Sequence, residues 1–117
     1  MTVQEFYQVI NGDYEAALSR LMKDERIVKY LKRFKDSQEL TDLISGLEEE
    51  RYEDAFRAVH NLKGVSLNLS LDPLAHVSSV LCEELRNGKP QIDISGMLED
   101  VKKVHEEVLK AIDLLDS

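Results

Sequence analysis

From end to end the apolar residues of this chain fall three and four positions apart. Nowhere do they alternate with polar residues as a half-buried strand requires. That pattern restricts the chain to helices. Ile27, Val28, Leu31 and Phe34 draw one stripe; Leu40, Leu43, Ile44 and Leu47 draw another. Leu74, Val77, Leu81 and Leu85 repeat it, as do Met97, Val101, Val104, Val108, Ile112 and Leu115. Two prolines, five glycines and no tryptophan fit the same reading, since sheet-rich chains are dense in turn residues and aromatics.

Punctuation between the stripes divides the chain. Thr2 and Glu5 stand at capping-box spacing before a short helix that Asn11-Gly12 should stop. The next stretch sets Tyr14, Ala17, Leu18 and Leu21 on one side, and residues 13–35 read equally as one bent helix or two. Asp36 and Glu39 offer a second capping box. The acidic run EEERYED leads into a long segment over about 52–71. Asp72-Pro73 restarts the chain as an N-cap acceptor before a proline, and Asn87-Gly88, with Pro90 beyond, closes that helix. The last helix is expected to start near Asp93 or Ser95. Helices joined by short loops predict an all-α fold, an antiparallel up-and-down four-helix bundle with an additional short N-terminal helical segment. With no repeat or linker, residues 1–117 are expected to form a single domain.

Composition removes whole classes of function. A net charge of −8 argues against nucleic acid, whose phosphates demand basic patches. No apolar run is long enough to span a membrane, and the start MTVQEFYQ lacks the basic and apolar regions of a signal peptide. A lone Cys82 cannot form an internal disulfide. The expected localisation is therefore cytoplasmic, and the initial Met and compact length favour a free-standing protein. No glycine-rich phosphate loop occurs, so no ATP-binding or autokinase activity is expected. No metal ligation is expected either, because nothing in the placement of His60, His76 and His105 makes them converge.

One stretch is not explained by packing. HNLKGVSLNLS, residues 60–70, carries a His, a Lys and a helix-weakening Gly within about a turn of helix. Drawing the buried face through Tyr52, Ala55, Val59, Leu62, Val65, Ser66 and Leu69 turns His60 toward solvent. Its helical neighbours are then Phe56, Arg57, Lys63 and Gly64, with Leu67 a further turn along. A neutral imidazole is a nitrogen nucleophile near neutral pH, and phosphoryl transfer needs chiefly positioning and charge stabilisation. In that chemistry Lys63 would stabilise the phosphoryl group and Gly64 would leave room for a partner's approach. Phe56, Arg57 and Leu67 would dock the partner, although Phe56 and Leu67 read equally as residues at the core boundary. His76 and His105 read as structural or solvated, and Cys82 as a buried or boundary thiol.

The segment AVHNLKGVSLNLSL resembles the signature of histidine-containing phosphotransfer (HPt) domains. His60, Leu62, Lys63, Gly64, Ser66 and Leu69 match it, while Ala58 lies one residue further from the His than is usual and Ser70 replaces a customary Gly. The resemblance extends from about Asp13 onward. It implies a four-helix bundle whose exposed His60 carries a phosphoryl group between Asp residues of receiver domains. Such receivers belong to response regulators or hybrid histidine kinases of bacterial phosphorelays. The resemblance further implies that this chain has no cofactor of its own, with Mg²⁺ held by the receiver. With no segment that would dimerise the bundle, a monomer is expected. The alternative readings are a non-catalytic helical adaptor for a receiver domain and, more remotely, a metal-binding bundle.

Overall fold

Seven helices and no strand make up the computed structural model, which describes residues 1–116. They are α1 (Val3–Val9), α2 (Tyr14–Leu21), α3 (Asp24–Lys35), α4 (Glu39–Glu48), α5 (Tyr52–Asn68), α6 (Asp72–Leu85) and α7 (Ser95–Ile112). No helix among the described residues is long and apolar enough to cross a membrane.

The predicted punctuation is realised in part. Thr2 and Glu5 form the full capping box of α1, the Thr2 hydroxyl accepting from Glu5 N at 3.1 Å and Glu5 Oε1 from Thr2 N at 2.9 Å. Residues 13–35 are two helices, because Met22 turns into the left-handed region with φ 75° and ends α2. Asp36 does not cap α4. Its backbone N–H is taken by the closing turn of α3, at Arg33 and Phe34, and Gln38 occupies the N-cap of α4 without a side-chain bond. Asp72 is likewise the first residue of α6 rather than its cap, a place held by Leu71. Asp93 accepts from Ser95 N at 2.9 Å just ahead of α7.

Packing follows chain order. α4 lies against α5, α5 against α6 and α6 against α7, while α3 reaches α7 and α1. The turns at 49–51 and 69–71 are short enough to fold the flanking helices back on each other as hairpins. Ile27, Leu31, Leu43, Leu62, Leu74, Leu81, Leu85 and Val101 are fully buried in one continuous core that also takes in Phe6 and Tyr7 of α1. The N-terminal helices close one end of that core. Gly12 permits this closure, since a Cβ there would stand 2.6 Å from the Ser70 carbonyl oxygen and 2.7 Å from the Tyr7 ring.

Candidate functional site

The site is a face of α5. Ala55, Ala58, Val59, Leu62 and Ser66 are its buried residues, with Tyr52 and Val65 half-buried at the margins. Ala58 joins the buried set that the periodicity predicted, because α4 flanks this helix as closely as α6 does. The opposite side carries His60, Arg57 and Gly64, all exposed, and Leu67, 53% exposed.

α5 ends earlier than the sequence pattern suggests. Ser70 adopts φ 54°, and the helix closes as a Schellman turn in which Leu71 N donates to Ser66 O at 2.9 Å and Ser70 N to Leu67 O at 3.1 Å. The remaining carbonyls of that end are served by the N-terminal helices. Arg20 donates to Leu67 O at 3.0 Å and Asn68 O at 3.1 Å, and it also bonds the Ser70 hydroxyl. The buried Tyr7 hydroxyl donates to Leu69 O at 2.7 Å, and Asp13 N to Ser70 O at 3.0 Å. With its terminal acceptors satisfied in this way, the helix presenting His60 is held firmly at its C-terminal end.

Around the imidazole the side chains divide by direction. Phe56, one turn earlier and half-buried, stacks on it with ring centroids 5.8 Å apart and planes inclined by 20°. From the C-cap of α6, the Arg86 guanidinium carbon lies 5.7 Å from the centroid of the Phe56 ring, and the guanidinium is itself paired with Glu83 at 2.6 Å. Lys63 is half-buried toward α6 and makes no ion pair among the described residues. The Arg86 hydrogen bond holds the Glu83 carboxyl below its ordinary range, with the Lys63 charge adding to the effect. Burial raises the Cys82 thiol, against the pull of Lys63 and Arg86, so it remains a neutral core group. On the other flank Arg57 pairs with Glu53 at 3.3 Å and Asp54 at 3.5 Å and lines a polar groove between α4 and α5.

Gly64 is open. A Cβ added there would find no atom within 4 Å, so no helix packing calls for a glycine at this position. His76 is exposed on α6, whereas His105 on α7 is buried and tilted against Phe34 with centroids 5.4 Å apart. Among the described residues no three His, Cys, Asp or Glu side chains are grouped to hold a metal. The structure thus brings His60, Phe56, Arg57, Lys63, Gly64 and Leu67 onto one side of α5. Arg86 and Glu83 were not foreseen, because only the register of α6 against α5 places them there.

A family model described as the Hpt domain matches residues 29–116, starting within α3 rather than near Asp13. Comparison with curated proteins and with solved structures gives no significant match.

Proposed function

The chain belongs to the Hpt domain family, whose function is histidine phosphotransfer in phosphorelays, and from that premise we propose that His60 is its phosphoryl carrier. The observation that carries the reading is an exposed imidazole beside Lys63 and an unobstructed Gly64 on a helix whose end is hydrogen-bonded in place. Hpt domains act with receiver domains, and the donor proposed here is an aspartyl phosphate of such a domain. A nitrogen lone pair of neutral His60 attacks phosphorus, the P–O bond to the aspartyl carboxylate breaks, and the ring loses its other N–H proton to solvent. The reverse step delivers the phosphoryl group to a second receiver Asp.

Each neighbour has a part in that reading. The Lys63 ammonium, three residues along the same helix, offsets the charge that the phosphoryl group brings. Gly64 leaves the partner's active site free to close on the ring. Leu67 and Arg57 supply apolar and charged contact for docking. No metal is assigned to this chain, and Mg²⁺ would come with the receiver. Phosphoryl carriage requires no kinase activity of the domain itself. The grip of α1 and α2 on the end of α5 supports treating residues 1–117 as one functional domain, although the family match begins at residue 29.

Incubation with a phosphorylated receiver domain tests the reading. A carrier acquires an acid-labile, base-stable phosphate as the receiver loses its own. Receiver binding without transferred phosphate would contradict it and leave the adaptor in its place.

A further inference from the structure

We propose that Phe56, held from the neighbouring helix by Arg86 and Glu83, is a positioning residue that fixes the His60 imidazole for transfer; this rests on His60 being the carrier. An exposed histidine on a helix otherwise exchanges among its permitted rotamers within picoseconds to nanoseconds. Here the ring is engaged by an aromatic neighbour at 5.8 Å and 20°, an offset stack of the favoured kind. A near-parallel neighbouring ring leaves the edge of the exposed imidazole open. Both nitrogens are on that edge, and the lone pair that attacks phosphorus points outward in the ring plane. The contact therefore restrains orientation without blocking reaction.

The restraint is anchored outside α5. Phe56 is half-buried between the two helices, and Arg86 stands over it in cation–π geometry at 5.7 Å. The Glu83 carboxylate accepts two bonds along one edge of the guanidinium, at 2.6 Å from a terminal nitrogen and 3.3 Å from Nε. Contact thus runs from His60 through Phe56 and Arg86 to Glu83. The Phe56 ring is already occupied within the chain, which moves it from docking to positioning. Leu67, 53% exposed, keeps the docking role.

Phosphoramidate separates the two roles because it needs no docking surface. Its P–N bond breaks, the nitrogen leaves as ammonia after taking up a proton, phosphorus bonds to the unprotonated imidazole nitrogen, and the other ring nitrogen gives its proton to solvent. The experiment measures His60 χ1 populations by NMR couplings, labelling rate with phosphoramidate, and receiver affinity by calorimetry. It uses the full chain carrying Phe56→Leu, Phe56→Tyr, Arg86→Gln or Leu67→Ala. Phe56→Leu and Arg86→Gln are expected to lower the ratio of the stacked to the alternative rotamer by about two- to tenfold. Both should also slow phosphoramidate labelling. Phe56→Tyr keeps the stack and should retain both properties. Leu67→Ala should retain both while weakening receiver binding. Wild-type rotamer ratios and labelling rates in Phe56→Leu and Arg86→Gln would overturn the proposal, whatever their receiver affinity. A wild-type protein that phosphoramidate never labels at His60 would overturn the carrier reading and this one with it. Unchanged rotamers in a protein that does label would overturn this one alone.

Discussion

Gln at position 64 would add a side chain to open space on the His60 face, since a Cβ there meets nothing within 4 Å. Gly64→Gln should therefore raise helix stability, by up to about 1 kcal/mol, and still slow transfer from a phosphorylated receiver strongly. Urea denaturation and transfer kinetics read the two effects separately, and wild-type transfer would remove the access role. Lys63→Ala should shorten the lifetime of phosphohistidine in the isolated protein and move the transfer equilibrium toward the receiver, with only a modest loss of binding. A lifetime and equilibrium equal to wild type would reduce Lys63 to a surface charge. That His60, Lys63 and Gly64 share one side of a helix was legible in the sequence because residues three and four apart share a helix face, whatever the rest of the fold does. Arg86 was not legible, since its place over Phe56 depends on how α6 is set against α5. Phe56 was ambiguous for the same reason, as periodicity places it at the edge of the face but cannot say what covers it.

The end of α5 shows how much one element owes to distant chain. Arg20 lies 47 residues from Leu67 in sequence and bonds its carbonyl. Arg20→Ala should cost about 1–2 kcal/mol of stability, read as a lower urea midpoint, because terminal acceptors lose a charged donor. Ser70 holds a left-handed conformation that suits glycine, at φ 54°. Ser70→Gly should stabilise the fold by up to about 1 kcal/mol, and destabilisation would mean that the Arg20 contact outweighs the backbone strain. That substitution was visible in the sequence as a departure from the family pattern, while its partner Arg20 was not. Capping at Asp36 was misjudged because the spacing to Glu39 is right, but the closing turn of α3 claims its backbone. Where α7 meets α3, burial lowers the basicity of His105, so the folded state binds fewer protons there than the unfolded chain. The contribution of this group to stability is complete above the unfolded value of about 6.5 and falls as pH drops below it. Urea midpoints at about pH 7.5 and 5.5 should lie closer together for His105→Gln than for wild type. An identical pH response in both proteins would contradict the assignment.

Across the whole molecule, helical class followed directly from apolar spacing, whereas the number of helices did not. Breaks at Met22 and between Lys35 and Glu39 turn on backbone conformations that residue type only weakly specifies, Met22 being a non-glycine residue at φ 75°. A net charge of −8 is also a property of the whole. A phosphoryl group would add about −1.5 to −2 to it, a charge that the proposed reading has Lys63 offset locally. The central claim is that this group resides on His60 and nowhere else, and the most direct measurement is phosphate transfer from a labelled receiver to wild type and to His60→Gln. The expected result is acid-labile label on the wild type, none on His60→Gln, and equal helical content by circular dichroism. Label persisting on His60→Gln, or found at His76 or His105, would contradict the account.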